Sequence, residues 1–347
     1  MYDLDLANWK INQTESGYRN TIISISPKNN QVGHQKLALI IYKDDDDILK
    51  KIKLANFVSN QLAELGWPTR QTIGEKTSAV LKIKSHNQTR YCCLYNYLPG
   101  DTISWESYSQ KHLKLLGQVL GFLHKDLVKI STNSPILVDD VSLILEEKIE
   151  EMYKYFADDG VVSALEQKLK LQVSLDCRRK FLPLIKQLQK IEFQQLLHMD
   201  FVRGNLLFCK QNNCQFVQES RLIFDNNKNS NQQLAISGIL DFEKVAYGPR
   251  EVELARTLAF LLVDCKYKLT NKIVKYFLHS GYIKRGEQRN LELDIIFRLV
   301  HYYLFQDFYH FLLHNPYESL PQNEHFRRTL KLLLIQNNPL LILQRQN

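Results

Sequence analysis

A polar eight-residue loop narrows the choice of folds more than any other feature of this sequence. It reads HMDFVRGN from His198 to Asn205, follows a predicted helix and runs directly into a short hydrophobic strand, Leu206–Phe208. Further along the chain, Asp241 stands near the end of a second predicted strand, Ala235–Phe242. This order of helix, polar loop, strand and later strand-end Asp is typical of a kinase-type phosphotransfer site.

Each polar residue of this pattern has a chemical reason to be there. Asp200 can accept a hydrogen bond from an attacking hydroxyl and take its proton late in the reaction. The four residues between Asp200 and Asn205 let the loop turn, so that Asn205 faces a metal ion instead. Asp241 supplies a hard carboxylate oxygen of the kind that Mg²⁺ prefers. We also expect Gly204 to permit the backbone conformation of this turn. The alternative is a polar surface loop without chemistry, and the two flanking strands count against it.

Two stretches resemble the hallmark motifs of the aminoglycoside phosphotransferase and choline kinase-like family, which also includes type II homoserine kinases and methylthioribose kinases. The first is HMDFVRGN, where the family has H-x-D-x-x-x-x-N. The second is LDFEKVAYGPREVELAR, from Leu240 to Arg256, with Glu253 in place of the usual Asp. The stretch YNYLPG, Tyr95–Gly100, is similar to the hinge where this family binds adenine.

The resemblance implies an α+β, two-lobed protein-kinase-like fold. It predicts a small β-rich nucleotide-binding lobe over residues 1–98 and a larger, mostly helical catalytic and substrate-binding lobe over residues 99–347. It also implies ATP and Mg²⁺ as cofactors and a small molecule with a hydroxyl group as substrate. The implied site consists of the catalytic Asp200, the metal ligands Asn205 and Asp241, and the adenine-binding hinge residues Asn96, Tyr97 and Leu98.

The first hundred residues depart from this family's pattern. The position of the strand lysine that usually holds the α- and β-phosphates falls on Ile40, and its usual glutamate partner on the following helix falls near Ala55 or Asn56. Lys43, at the strand's end, could substitute for the lysine as a cofactor-binding residue, or could be an ordinary exposed lysine. The phosphate-covering loop is expected at 16–20, where Arg19 could touch phosphate or be solvated.

Several other residues keep two interpretations. Glu243 could be a second metal contact or could organise its loop, and Arg203 could meet a transferred phosphate or pair with surface acids. His198 is expected to orient neighbouring backbone rather than to exchange protons. An aromatic series could cage a quaternary ammonium ion, but its helical spacing favours a place in the core. Its members are Tyr302, Tyr303, Phe305, Phe308, Tyr309 and Phe311.

The hydrophobic pattern predicts a strand-rich first part and a helical second part. The predicted strands are Thr21–Ser26 and Lys36–Tyr42, which form a hairpin, then Ala79–Lys84, Tyr91–Tyr97 and the extra strand Arg221–Phe224 inside a polar insertion at 209–234. The predicted helices are Ile48–Leu65, Tyr108–His124 and the stretches near 138–158, 161–171, 176–194, 250–264, 270–280, 287–314 and 323–336.

Composition excludes other functional classes. Glycine makes up 13 of the 347 residues, against roughly 7% in average proteins. There is no G-x-G-x-x-G motif, and Gly281 and Gly286, which have the spacing of a phosphate-binding P-loop, are followed by Glu287 instead of lysine. The net charge of +8 is spread along the chain, so nucleic acid is not an expected partner.

Membrane binding is not expected either, because no apolar run approaches the roughly 18 residues of a membrane span. The six cysteines form no C-x-x-C pair and predict reduced, mostly buried thiols in a cytoplasmic protein. The sequence thus favours an ATP- and Mg²⁺-dependent enzyme that phosphorylates a hydroxyl of an aminoglycoside, choline, homoserine or sugar-like molecule. The alternative is a catalytically degenerate kinase-fold binding module, and the oligomeric state stays open.

Overall fold

The computed structural model of the chain describes residues 9–12, 15–16, 20–28, 36–45, 47–74, 79–85, 88–131, 138–171, 176–210, 219–224, 234–288 and 290–334. The chain forms two compact units. Unit 1 comprises Met1–Thr102 and Arg203–Val245, and unit 2 comprises Ile103–Val202 and Ala246–Asn347.

The segment 203–245 is where this division differs from the predicted lobes of 1–98 and 99–347. It packs with the N-terminal residues because backbone hydrogen bonds join the two parts of unit 1. Asp101 and Phe208 exchange both of their backbone hydrogen bonds, at 3.0 and 2.9 Å, and the Ile239 N–H donates to the Pro68 carbonyl at 2.8 Å.

An antiparallel six-stranded sheet forms the first part of unit 1. Its strands are β1 (Trp9–Ile11), β2 (Glu15–Ser16), β3 (Thr21–Pro27), β4 (Leu37–Ile41), β5 (Val80–Ser85) and β6 (Gln88–Asn96). The strand order is β1-β3-β4-β6-β5, and β2 pairs with β3. The predicted hairpin is confirmed, since β3 and β4 pair with Thr21 opposite Ile41.

Helix α1 (Ile48–Glu64) closes one face of this sheet. Its buried Ile48 and Ile52 pack with Ile40 and Tyr42 from the β4 region and with Tyr95 of β6. Burial of each large apolar side chain of this kind contributes roughly 1.5–3 kcal/mol. The apolar stripe that predicted the helix is therefore the stripe that holds it on the sheet.

A second, three-stranded antiparallel sheet in unit 1 has the order β8-β10-β9. Its strands are β8 (Leu206–Lys210), β9 (Ile223–Phe224) and β10 (Leu234–Ile239). The chain enters this region at Gly100, which has a φ of +124°. A Cβ atom there would lie 2.2 Å from Ser237 Oγ and 2.9 Å from the Phe208 carbonyl oxygen, so the position requires glycine.

Unit 2 is mostly helical. Its helices are α2 (Gln110–Ser131), α3 (Val141–Phe156), α4 (Asp159–Leu169), α5 (Cys177–Leu188), α6 (Arg250–Asp264), α7 (Thr270–Val274), α8 (Leu293–His314) and α9 (Glu324–Leu334). A π-helical segment, Lys275–Arg285, continues α7. The short antiparallel strands β7 (Gln195–Leu197) and β11 (Ala246–Gly248) also pair in this unit, and the sequence analysis did not predict them.

Scarce glycines bring α2 and the π-helical segment into backbone contact. A Cβ atom on Gly117 would lie 2.9 Å from the Gly281 Cα, and one on Gly121 would lie 2.7 Å from the Gly286 Cα. These four glycines therefore set the close approach of two helical elements. The P-loop-like spacing of Gly281 and Gly286 has a packing role.

Two further expectations can be compared with the structure. Cys92, Cys93, Cys177 and Cys265 are free and buried, as expected for reduced thiols. Cys209, in contrast, is disulfide-bonded, which the cysteine spacing did not predict. In the part of the chain that the structure describes, no helix is both long and apolar enough to cross a bilayer.

Candidate active site

The loop that contains Asp200 is buried in unit 2 and held by ion pairing and hydrogen bonds. The Asp200 residue is 8% exposed, and its Oδ1 accepts a hydrogen bond from Arg256 Nη2 at 3.3 Å. The guanidinium also lies over the Phe260 and Tyr303 rings, 5.2 and 5.6 Å from their centroids. Arg256 thus holds one carboxylate oxygen of Asp200 in a fixed direction.

Glu253 of α6 holds the same loop in place through hydrogen bonds to its backbone. Its Oε2 accepts from the His198 N–H at 2.9 Å and from His124 Nε2 at 3.0 Å, and its Oε1 accepts from the Met199 N–H at 2.7 Å. Met199 has a left-handed backbone with φ of 60°. A non-glycine residue holds this conformation only where the surroundings determine it, and here the carboxylate of Glu253 does so.

The ionisation of Glu253 follows from these contacts. Burial alone would raise the pKa of this carboxyl, but the hydrogen bond from His124 and the N–H of His198 stabilise the charged form, so the pKa lies below its ordinary value. His124 is itself oriented by a 2.6 Å hydrogen bond between its Nδ1 and the Tyr282 hydroxyl. His198 accepts from the Asp200 N–H through Nδ1 at 3.1 Å. The expectation that His198 orients backbone is confirmed.

A pocket of about 160 Å³ in unit 1 brings together the two predicted metal ligands. Asn205 and Asp241 both line it, together with Glu243. Antiparallel pairing explains their proximity, since Asn205 directly precedes β8 and Asp241 follows β10, and the Leu240 N–H donates to the Asn205 carbonyl at 2.8 Å. Asp241 has a left-handed φ of 62°, a further strained backbone at this site.

The donors of this pocket suit a hard divalent cation. Amide and carboxylate oxygens are the ligands that Mg²⁺ takes, and in nucleotide sites it uses one or two carboxylates together with phosphates and waters. In the described ranges no group of three or more His, Cys, Asp and Glu side chains could hold a metal by itself. The pocket therefore fits a metal that a nucleotide completes, and does not fit a closed structural metal site.

The departures predicted for the strand and the helix lie in this pocket. Ile40 lines the pocket at the position where typical kinases have the strand lysine, and Asn56 lines it near the position of the usual glutamate. A buried chain of polar groups stands there instead. The Tyr42 and Tyr95 hydroxyls lie 2.6 Å apart, and the Tyr95 hydroxyl donates to Asn56 Oδ1 at 2.7 Å. Burial raises the pKa of both tyrosines, so this network is neutral.

Lys43 is exposed, and its backbone N–H donates to Asn20 Oδ1 at 3.1 Å. The basic side chain that lines the pocket is Arg70, from the segment between α1 and β5, which the sequence analysis missed. A cue existed in the sequence, because Arg70 follows Gly66, Trp67 and Pro68 as a charged residue directly after a helix-ending turn. The role of Lys43 stays a prediction.

The three hinge residues occupy the end of β6 and the following loop. The Asn96 N–H donates to the Gln71 carbonyl at 3.1 Å, and the Tyr97 N–H donates to the Lys36 carbonyl at 3.0 Å. Leu98 follows them without a backbone hydrogen bond from its N–H among the described residues. Of the three, Leu98 therefore has the backbone donor that adenine could use.

The other residues of the candidate site have different outcomes. Glu243 accepts a 3.0 Å hydrogen bond from Asn20 Nδ2 while lining the pocket, so it ties its loop to the start of β3. Arg19 lies outside the described residues, and Arg203 stays open between its two roles. Gly204 is a correction: its φ is not positive, and a Cβ atom there would meet nothing within 4 Å, so the turn does not require glycine.

The aromatic series of α8 lies in the core, as its helical spacing favoured. The side chains of Tyr302, Tyr303, Phe305, Phe308 and Tyr309 are buried. Phe156 packs against them, with ring centroids 5.3 Å from Phe305 and 6.2 Å from Phe308. These rings contact one another, which agrees with packing rather than with a cage for a cation.

Comparison with known proteins finds solved structures with a similar fold. The sequence matches no family model and no curated protein sequence. The fold is similar to that of an amicoumacin kinase solved with AMP-PNP and Ca²⁺, with a TM-score of 0.62, 13% identity and coverage of 93% of this chain and 87% of that one. A microcompartment-associated aminopropanol kinase gives a TM-score of 0.62 at 13% identity, over 96% and 93% of the two chains.

An aminoglycoside phosphotransferase from Alicyclobacillus acidocaldarius is also similar, with a TM-score of 0.55, 12% identity and coverage of 98% and 94%. The chain has the kinase-like fold of these small-molecule phosphotransferases. The α+β architecture predicted from the two motifs is therefore confirmed. Within this kinase-like fold, the motif residues Asn205 and Asp241 line the pocket of unit 1, and Asp200 lies in the buried loop of unit 2.

Proposed function

We propose that this protein is an ATP- and Mg²⁺-dependent phosphotransferase that phosphorylates a hydroxyl group of a small molecule. One observation carries the proposal: Asn205 and Asp241, which are far apart in the sequence, line a single pocket with Glu243 and the cation Arg70. Oxygen donors beside a cation are what a metal-bound polyphosphate needs. The similarity in fold to small-molecule kinases supports the same activity.

The residues divide the work between the two units. In unit 1, Asn205 and Asp241 hold Mg²⁺, which neutralises charge on the phosphates when it is bound. Leu98 offers a backbone donor to adenine, next to Asn96 and Tyr97. In unit 2, Asp200 accepts the proton of the acceptor hydroxyl, and its ion pair with Arg256 orients the carboxylate for that step.

The acceptor belongs to the chemical class of small alcohols. Two similar structures are an amicoumacin kinase and an aminopropanol kinase, so amino alcohols come first among the candidates. Aminoglycosides, choline, homoserine and sugars complete the set. We place the reaction in the cytoplasm, because the proposed activity consumes ATP.

The test is ATP consumption by the full-length protein with Mg²⁺ across these acceptor classes, followed by Asp200→Asn on the acceptor that responds. Loss of a general base costs about 10²- to 10⁴-fold in rate. We expect Asp200→Asn to lower kcat by that factor and to leave ATP affinity unchanged, because the pocket of unit 1 is intact. Asp294→Asn, an exposed aspartate on α8, is the matched control.

Wild-type turnover in Asp200→Asn would overturn the catalytic assignment. A binding module without catalysis is the second candidate, and the presence of Ile40 and Asn56 in the pocket is the observation that favours it. Calorimetric titration with ATP and Mg²⁺ separates the two. A protein that binds ATP but turns over no acceptor supports the module, and one that binds none at millimolar ATP contradicts the nucleotide site itself.

A further inference from the structure

The pocket of unit 1 lacks the strand lysine of typical kinases but contains a cation from another segment. Among the described residues that line it, Arg70 is the one basic side chain. The wall that a strand lysine would occupy is apolar, formed by Ile22 and Ile40. Arg70 instead belongs to the segment after α1, and it shares the pocket with Asn205 and Asp241.

Backbone contacts fix the segment that presents Arg70. The Ser59 hydroxyl of α1 donates to the Arg70 carbonyl, and the Thr69 hydroxyl donates back to the Ser59 carbonyl at 2.7 Å. Thr69 also forms a parallel bridge with Ile239, the last residue of β10. Because the chain runs in the same direction on both sides of that bridge, Arg70 leaves it one residue after Thr69 and Asp241 two residues after Ile239, at the same end.

The surroundings of the guanidinium are acidic but contain no close partner. In the described part of the chain, Arg70 makes no ion pair within 4 Å and no side-chain hydrogen bond. Burial lowers the pKa of Arg70, and the carboxylates of Asp241 and Glu243 are among the groups that oppose that shift. An arginine stays protonated under such conditions. Arg70 therefore gives the pocket a partly desolvated positive charge that has no ion pair among the described residues.

We propose that Arg70 binds the phosphates of the nucleotide and takes over the role that a strand lysine has in typical kinases. The inference rests on the proposed function, since it specifies how the nucleotide is held. A guanidinium suits this task because its planar donors contact two phosphate oxygens at once. Ile40 and Asn56 then need no charge, since Arg70 supplies the cation of this pocket.

The test measures binding of ATP, ADP and adenosine to the full-length protein by calorimetry with Mg²⁺. We expect Arg70→Ala to weaken ATP and ADP binding about 10- to 100-fold, the range for a charged hydrogen-bonded contact. Adenosine affinity stays the same, because adenosine has no phosphate. Arg70→Lys keeps the charge but loses the fork of donors, so it recovers part of the loss. Arg90→Ala, an exposed arginine of β6, serves as the control.

The outcomes separate the inference from the function on which it rests. If the wild-type protein binds no ATP, the proposed function fails. If it binds ATP and Arg70→Ala binds ATP equally well, the inference fails and the function stands. An equal loss for adenosine and ATP would show a structural role for Arg70 and would overturn the inference. A selective loss of ATP binding in Lys43→Ala, with Arg70→Ala unaffected, would assign the phosphates to Lys43 instead.

Discussion

Glu253 supports the catalytic loop through three contacts, and their removal has a calculable cost. The fully buried carboxylate accepts hydrogen bonds from the backbone N–H groups of His198 and Met199 and from the His124 ring. Glu253→Gln replaces one carboxylate oxygen by an NH₂ group of nearly the same size. Whichever oxygen is replaced, at least one buried N–H then faces another donor.

The magnitude follows from the bonds that the amide cannot make. One charge-assisted hydrogen bond is lost, at roughly 1.5–3 kcal/mol, and one buried N–H is left unsatisfied, at roughly 1–3 kcal/mol. We expect Glu253→Gln to lower the free energy of unfolding by about 3–5 kcal/mol, the range for breaking a buried charged pair. Because Met199 precedes Asp200 and has a left-handed backbone, we also expect kcat to fall in the fraction that remains folded.

Urea unfolding followed by circular dichroism measures the first effect, and turnover with the acceptor found above measures the second. Glu251→Gln is the matched control, because Glu251 is also buried on α6. Burial raises the pKa of Glu251, so the charged form of this carboxyl is less favoured than that of Glu253. We expect this control to change stability by less than about 1 kcal/mol.

A pH series adds a signature that only the Glu253 carboxylate can give. Its pKa is below the ordinary value in the folded protein, so its contribution to stability is present above the unfolded pKa and is lost as the pH falls through the folded one. Glu253→Gln lacks this dependence. A variant within about 0.5 kcal/mol of the parent would refute the stability argument. Lower stability with unchanged kcat would refute the role in placing Asp200.

Two further predictions concern backbone fit and acid sensitivity. Gly100→Ala is expected to lower the free energy of unfolding by about 2 kcal/mol or more, because Gly100 has a positive φ and lies close to the Ser237 hydroxyl. Gly204→Ala is expected to change it by less than about 0.5 kcal/mol. Comparable urea midpoints for the two variants would contradict this prediction. Burial lowers the pKa of His112 and of His301 to about 4. The neutral form of each ring therefore contributes its full share to the free energy of unfolding above the unfolded pKa near 6.5, and this contribution is lost as the pH falls towards 4. The slope of unfolding free energy against pH is expected to flatten in His301→Gln, and an unchanged slope would exclude that ring as a source.

The order of strands and helices could be predicted from the sequence because its signals are local. The β-branched run at Thr21–Ser26 and the apolar stripe at Ile48–Leu65 lie within a residue or two of β3 and α1. In contrast, β7 and β11 are three residues each and pair with one another across a long stretch of sequence, so no periodicity marks them. Short strands that depend on a distant partner are the elements that a pattern within one window cannot show.

The site shows the same division between local motif and distant contact. Asn205 and Asp241 were predicted from their motifs, because fixed spacing and residue type mark them. Arg70 carries no motif, and its place in the pocket depends on the bridge between Thr69 and Ile239, which are far apart in the sequence. The glycine predicted to matter at 204 fails for a related reason, since a turn's need for glycine depends on its φ and its neighbours, which a motif does not specify.

Ile40 and Asn56 stand where typical kinases have a lysine and a glutamate, and the two neutral residues fit each other. A lysine at position 40 would place an ammonium group beside Ile22, in a pocket where the α1 residue Asn56 offers an amide and no charge. The Tyr95 hydroxyl donates to Asn56 and lies 2.6 Å from the Tyr42 hydroxyl, so α1 offers a neutral, already occupied acceptor at this position instead of a carboxylate. An unpaired buried ammonium costs several kcal/mol. The neutral Ile40, the neutral Asn56 and the charged Arg70 therefore form one consistent set, and a lysine at position 40 would add a second cation to the pocket that already contains Arg70.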